Sequence, residues 1–350
     1  MWQYPISIIS YLAVAICVVF FSIKLSTFVD LLDKKTNLSG ALLGGILLAA
    51  TTSLPELFTA LTATILVKNN DLVLGDILGS NLFNIVLFSI IYLVFYKKMI
   101  KSKVDKAHLF TMALIGLAYA IVTIAGFVFD FNDIIWFGWF NPMSVLIVVL
   151  YAIAVWKTPK EEINEGEDEI EDEKESQMTV KQIAISFAIF ALLLIASSIG
   201  ITYLTQWVVD VYQIGSTFGG ALFLGVATSL PELTATINLG RRGNINAAFG
   251  NIIGSNIFNF SILALADVLS FNCPTHVYTF DQSAFLMLIF GIASTVVLTT
   301  TVIIKSFFNK DNKFNKFYFT FAGIVFVSNY IAFLILSNIN LYISFAPFRA

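Results

Sequence analysis

The sequence predicts an all-α polytopic membrane protein of ten transmembrane helices, arranged as two inverted five-helix repeats. Three observations lead to this. Of 350 residues, 58% are hydrophobic and 12% charged, which leaves too little polar surface to cover a soluble fold. Ten stretches of the chain approach the roughly 20 apolar residues that cross a bilayer. A six-residue word, Thr52-Ser53-Leu54-Pro55-Glu56-Leu57, returns unchanged as Thr228-Ser229-Leu230-Pro231-Glu232-Leu233, once in each half.

The ten stretches lie near residues 6–28, 38–67, 71–95, 107–129, 134–156, 180–208, 215–240, 244–267, 281–304 and 316–338. Met1-Trp2-Gln3-Tyr4-Pro5 brings no positive charge and nothing like a cleavage site follows, so the first stretch reads as a retained helix. The second and seventh are long but broken by Pro55 and Pro231, because proline lacks the N–H that continues a helix.

Orientation follows from the basic residues. With the N-terminus outside, the inner loops collect Lys34, Lys35, Lys97, Lys98, Lys101, Lys103, Lys106, Lys157, Lys160, Lys174, Lys181, Arg241, Arg242, Lys305, Lys310, Lys313 and Lys316. The outer side keeps Lys68 and Arg349, and Lys24 sits in the inner half of the first span. This asymmetry predicts both termini outside. Ten carboxylates between Glu161 and Glu175 form a solvated linker. The expected division is therefore 1–157, a first five-helix repeat; 158–179, an acidic cytoplasmic linker; and 180–350, a second repeat. An odd number of spans per half inserts the second upside-down relative to the first.

Several function classes are excluded. No basic face exists for nucleic acid. Cys17 and Cys273 give neither a disulfide framework nor a metal spacing, and His108 and His276 lie in or near loops, away from any transition-metal pattern. Gly-x-Ser-x-Gly and His-Glu-x-x-His are both missing, so no enzyme is predicted and no organic cofactor is called for. The sequence offers no evident obligate protein partner; its partners are the bilayer and small cations.

The repeated words carry the chemistry. A glutamate in mid-membrane is expensive to bury, and here it occurs twice. Proline frees a carbonyl one turn back, and in a bilayer that oxygen needs a hydroxyl, water or cation. Each word thus gathers a carboxylate, hydroxyls and loosened carbonyls within about 10 Å by helical rise. Such an all-oxygen set suits Ca²⁺ and Na⁺. Glu56 and Glu232, meeting near the midplane, would repel strongly in low dielectric. One Ca²⁺, two Na⁺ or two H⁺ compensates them equally, which is a physical basis for exchange. A second shared phrase follows each word: Gly75-Asp76-Ile77-Leu78-Gly79-Ser80-Asn81-Leu82-Phe83-Asn84 and Gly250-Asn251-Ile252-Ile253-Gly254-Ser255-Asn256-Ile257-Phe258-Asn259. Ser80 with Asn84, and Ser255 with Asn259, are four apart and share a helix face, while the glycines permit close helix approach.

These words resemble the two α-repeats of the sodium/calcium exchanger family, within the calcium/cation antiporter superfamily, over about residues 38–95 and 215–267. The resemblance implies central ligands at Glu56 and Glu232, with hydroxyl or carbonyl oxygens from Thr52, Ser53, Thr228 and Ser229. It implies carbonyl ligands for flanking Na⁺ sites at Ala49 and Gly225, completed by Ser80 and Ser255, with Asn84 and Asn259 at the centre. It also implies that the first and sixth spans slide across this core to open alternate sides. Two departures stand out. Asn259 is neutral where the family often has aspartate, and Asp76 replaces the asparagine found in its own repeat mate, Asn251. Eight residues separate Asp76 from Asn84, about 12 Å along a helix, so Asp76 is expected toward the outer end of the third span, as an entrance charge or a solvated helix-end residue.

The expected activity is Na⁺/Ca²⁺ antiport by alternating access. The alternatives are H⁺-coupled Ca²⁺/cation exchange, with H⁺ as a competitor for the carboxylates, and more remotely a cation channel. A prokaryotic cytoplasmic membrane is the expected location.

Overall fold

A computed structural model describes residues 3–36, 49, 51–102, 104–127, 140–157, 177–271, 273–307 and 312–338. Among these residues the regular structure is helical throughout. The helices are α1 (Gln3–Thr36), α2 (Leu54–Val67), α3 (Asn70–Leu93), α4 (Tyr96–Lys101), α5 (Ala107–Phe127), α6 (Pro142–Lys157), α7 (Val180–Tyr212), α8 (Ser216–Thr228), α9 (Leu230–Arg242), α10 (Ile245–Leu269), α11 (Gln282–Phe307) and α12 (Asn312–Asn338). Seven of them, α1, α3, α5, α7, α10, α11 and α12, are each long and apolar enough to cross a bilayer. The pair α8–α9 does so together, bent by 40° at its break. The helices α2 and α6 are apolar but shorter, and the acidic segment 161–175 and the first part of the second predicted span lie outside the described residues.

Local chemistry sets the helix ends. Asn69 accepts from the N–H groups of Asp71 and Leu72 at 3.1 and 3.3 Å to start α3, an N-cap satisfying donors the helix itself cannot. Thr179 and Gln182 form a reciprocal capping box on α7. Asn244 caps α10 through the Ala247 N–H at 3.2 Å. Just before it, Gly243 adopts φ +84°, a left-handed turn suited to glycine. Pro55 and Pro231 sit in the first turns of α2 and α9, where their missing N–H costs no intrahelical bond. The repeated words are therefore helix starts inside the protein.

Packing among the described residues divides into one large body of apolar contact and two smaller ones along α1 and α7. Buried side chains of α3, α5, α6, α10, α11 and α12 make one cluster, with Phe88, Tyr92, Tyr119, Phe249 and Phe260 at its heart. Helices α1 and α7 lie against each other and make a second, through Tyr11, Ala15, Val18 and Leu25 against Leu194, Ile201 and Val208. Their outer faces carry Ile9, Ile16 and Leu192, each about two-thirds exposed, as a helix facing lipid requires. Helix α3 is the most enclosed of the long spans and packs on α8, α10, α11 and α12. Its approach to α8 is backbone to backbone. A Cβ added at Gly75 would fall 2.1 Å from the Thr217 carbonyl oxygen, and one at Gly79 2.5 Å from Ala221 Cα. Small residues permit such contact where no hydrophobic effect drives helices together.

Asp267, near the end of α10, is a buried carboxylate with a structural task. It accepts from the Asn141 N–H and the Ser144 hydroxyl, both at 2.7 Å, tying the start of α6 to α10. Ser144 also meets the Tyr278 hydroxyl at 2.7 Å.

Candidate ion-binding site

All twelve residues singled out from the sequence are buried or nearly so in the helix core. Glu56, Glu232, Ser53, Ser229, Thr228, Ser80, Ser255, Asn84 and Asn259 are fully enclosed, and Thr52 and Ala49 almost so; Gly225 is buried against α3. The two broken segments cross-connect. Ser53, at the start of α2, donates to Glu232 Oε1 at 2.8 Å. Ser229, at the start of α9, reaches Glu56 Oε1 at 3.4 Å. Ser255 of α10 also donates to Glu232 Oε1, at 3.2 Å. The two carboxylates lie within Coulombic range of each other.

At the helix breaks two backbone carbonyls also accept from side-chain hydroxyls. Thr52 Oγ1 donates to the Ala49 carbonyl at 3.1 Å. Ser80 Oγ donates to the Gly225 carbonyl at 3.2 Å and meets Thr228 Oγ1 at 3.4 Å. A widened π-turn, Gly220–Leu224, precedes the second break, and such turns loosen the backbone hydrogen-bond ladder.

Two amides that the sequence reading did not single out, Asn81 and Asn256, join α3 to α10 together with Asn84 and Asn259. Asn84 Nδ2 donates to Asn256 Oδ1 at 3.0 Å, Asn259 Nδ2 to Asn81 Oδ1 at 3.0 Å, and Asn256 Nδ2 to the Asn81 carbonyl at 3.3 Å. Asn81 and Asn256 thereby consume the amide donors of Asn84 and Asn259 and leave their oxygens over. The sequence signal for them was present, since both follow the serine of the shared phrase, but only the crossing of α3 and α10 pairs them.

Asp76 corrects the sequence expectation. It is completely buried, neither a solvated helix-end residue nor an entrance charge. Thr59 Oγ1 donates to its Oδ2 at 2.6 Å and Thr228 Oγ1 approaches its Oδ1 at 3.4 Å. Helix α3 begins at Asn70, so Asp76 lies nearly two turns inside it, under α2 and α8.

Four oxygens of the predicted site are among the buried side-chain atoms that have no hydrogen-bond partner in the described residues: Glu56 Oε2, Glu232 Oε2, Asn84 Oδ1 and Asn259 Oδ1. Leaving even one buried polar atom unpaired costs about 1–3 kcal/mol, and more for a charged group. Four acceptors of one kind, two anionic and two neutral, make a donor set for a hard cation. Among the described residues no three His, Cys, Asp or Glu side chains converge as a metal cluster, so the mixed carboxylate, amide, hydroxyl and carbonyl set is what the site has to offer.

A cleft of about 130 Å³ runs between α1 and α9, lined by Ser26, Thr27, Thr52, Thr234, Asn238 and Arg242 among others. It joins Thr52 at the site to the basic end of α9. Near the Asp76 side, Tyr11 of α1 donates its hydroxyl to the Phe223 carbonyl at 2.7 Å and is itself buried.

Fold and site together define an integral membrane protein of the ion-transporting kind, with a polar, carboxylate-bearing core between broken helices. The chain belongs to the sodium/calcium exchanger protein family, whose model matches residues 6–157 and 183–338. It is 26% identical to inner membrane protein YrbG of Escherichia coli K12 over 254 residues, 70% of this chain and 74% of that one. A 58-residue stretch is 45% identical to the sodium/calcium exchanger MaX1 of Methanosarcina acetivorans, covering 16% and 17% of the two chains. Its fold is similar to that of an H⁺/Ca²⁺ exchanger, CAX (TM-score 0.67, 15% identity, 95% of this chain and 86% of that one). It is also similar to that of the sodium-calcium exchanger NCX_Mj (TM-score 0.53, 20% identity, 96% and 99%).

Proposed function

We propose that this protein exchanges Na⁺ for Ca²⁺ by alternating access, at a site built around Glu56 and Glu232. The observation that carries the reading is the set of four unpartnered buried oxygens, Glu56 Oε2, Glu232 Oε2, Asn84 Oδ1 and Asn259 Oδ1, contributed symmetrically by the two repeated words and the two phrases that follow them. Two carboxylates match one divalent ion or two monovalent ones, so the cargoes displace each other by charge. Thr52, Ser53, Thr228 and Ser229 extend the central set. Ala49 with Ser255, and Gly225 with Ser80, flank it as Na⁺ positions.

In this reading the chain is ten spans in two inverted repeats, 1–157 and 180–350, joined by the cytoplasmic linker 158–179. The reciprocal bonds Ser53 to Glu232 and Ser229 to Glu56 support it, since halves related by a two-fold axis exchange partners. The cleft reaching Thr52 from the Arg242 end, with Tyr11 covering the opposite flank, corresponds to access from the basic, inner side. The separate packing of α1 and α7 lets that pair move as one body over the core.

The test is ⁴⁵Ca²⁺ uptake into proteoliposomes loaded with Na⁺, with choline, or with an imposed pH gradient. Uptake that requires internal Na⁺ and vanishes in Glu56→Ala and Glu232→Ala is expected. Uptake driven by the pH gradient alone would assign the protein to H⁺-coupled exchange instead. Currents persisting without a counter-ion would make it a channel.

A further inference from the structure

We propose that Asp76 is a cation ligand, supplying a carboxylate to the flanking position formed by the Gly225 carbonyl, Ser80 and Thr228, and that this position takes Na⁺. The inference rests on the antiport reading and adds to it a charged ligand that the repeated words do not contain.

The geometry is acceptor-rich. Around this point stand Asp76 Oδ1 and the carbonyls of Leu224 and Gly225, three acceptors, with two hydroxyl donors. Thr228 Oγ1 is 2.9 Å from the Leu224 carbonyl but 3.4 Å from Asp76 Oδ1. Ser80 Oγ is 3.2 Å from the Gly225 carbonyl. Each hydroxyl has one proton to give, and for Thr228 the nearer acceptor is the Leu224 carbonyl. From Thr228, Asp76 Oδ1 therefore has only a long contact, although it belongs to a fully buried carboxylate. Its other oxygen accepts from Thr59 at 2.6 Å, while Oδ1 lies on the side of Thr228. The Thr228 side chain also interacts with Glu56, whose carboxylate is in Coulombic range of Asp76. A cation among these oxygens would satisfy Oδ1, both hydroxyl lone pairs and the Gly225 carbonyl together.

Charge selects the ion. The centre has two carboxylates, Glu56 and Glu232, and suits a divalent cation. The flank has one carboxylate among neutral oxygens, which matches a monovalent cation. The second half has no counterpart: Asn251 occupies the equivalent place in the shared phrase, is fully buried, and neither of its amide atoms has a partner among the described residues. The two flanks are thus chemically unequal, with the stronger Na⁺ position on the Asp76 side.

The experiment compares wild type, Asp76→Asn and Thr59→Val, each as the full chain. Thermal stabilisation of detergent-solubilised protein is titrated with NaCl and separately with CaCl₂, and Ca²⁺/Ca²⁺ exchange is followed in proteoliposomes. Asp76→Asn should raise the half-saturating Na⁺ at least about tenfold, equivalent to roughly 1.4 kcal/mol, while the Ca²⁺ titration shifts less than about threefold, roughly 0.7 kcal/mol on the same scale. Thr59→Val, which removes the hydroxyl holding Asp76 but not the carboxylate, should leave the Na⁺ titration near wild type. Asp76→Ser, smaller and neutral, serves in its place if the asparagine variant does not fold. An Asp76 variant with wild-type Na⁺ dependence overturns the assignment; so does a Thr59→Val protein that reproduces the Asp76→Asn defect, which is what a helix-pinning role through the Thr59 bond predicts. A wild-type protein stabilised by Ca²⁺ but not by Na⁺ overturns the Na⁺/Ca²⁺ reading itself, which separates the two failures.

Discussion

Gly75→Ala should disable the site from a distance. The added Cβ would stand 2.1 Å from the Thr217 carbonyl oxygen, 2.9 Å from its carbon and 3.0 Å from the Ala221 N, whereas ordinary contact begins near 3.4 Å. The shortfall is about 1.3 Å (3.4 less 2.1), and every obstructing atom is backbone, so no side chain can rotate away. Helices α3 and α8 must part by a comparable amount or distort. Ser80 Oγ and the Gly225 carbonyl, now 3.2 Å apart across that same interface, would then lose contact. Overpacking of this kind costs about 1–3 kcal/mol, which sits well above the roughly 0.5–1 kcal/mol a helix gains from replacing glycine by alanine. Gly116→Ala is the control, because nothing lies within 4 Å of the added carbon there. The assay is Na⁺-dependent ⁴⁵Ca²⁺ uptake together with the thermal midpoint in detergent. Gly75→Ala should lower both, with uptake reduced at least about tenfold if one hydrogen-bond-sized contribution of about 1.4 kcal/mol is lost, and Gly116→Ala should change neither adversely. Wild-type uptake by Gly75→Ala, or equal damage from Gly116→Ala, would refute the claim that backbone contact between α3 and α8 holds the flanking site.

Asn256→Leu keeps the branching of the side chain but removes both of its bonds to α3; a loss of about 1–3 kcal/mol from the unpaired Asn84 amide should appear as a lower thermal midpoint and a raised half-saturating Ca²⁺, and unchanged Ca²⁺ dependence would show that the amides do not orient Asn84. Ser144→Ala removes the donor at 2.7 Å from Asp267 and should cost on the order of 1 kcal/mol of stability with transport per folded molecule retained. Transport lost at unchanged stability would instead put Asp267 in the ion path.

Much of this protein was legible in its sequence because bilayers impose strict local rules. A span must be apolar and helical, so residues 71–95, 180–208 and 281–304 appear as α3, α7 and α11 with ends marked by Asn69 and Thr179. A proline inside a span must restart the helix, so Pro55 and Pro231 located the two breaks, and the carboxylates beside them were conspicuous for the cost of burying charge. Helical periodicity also placed Ser80 with Asn84 on one face. Periodicity does not say which helix covers that face. Asp76 looked like a helix-end charge because its partners, Thr59 and Thr228, lie 17 and 152 residues away. Asn81 and Asn256 had no assigned role in the sequence, and only the crossing of α3 and α10 pairs them with Asn259 and Asn84. Asp267 had no motif at all. The sequence by itself determined the helices, their interruptions and the residue types available to a cation. The tertiary structure alone decided which oxygens remain unpartnered, because hydrogen-bond satisfaction depends on short distances between segments remote in the chain.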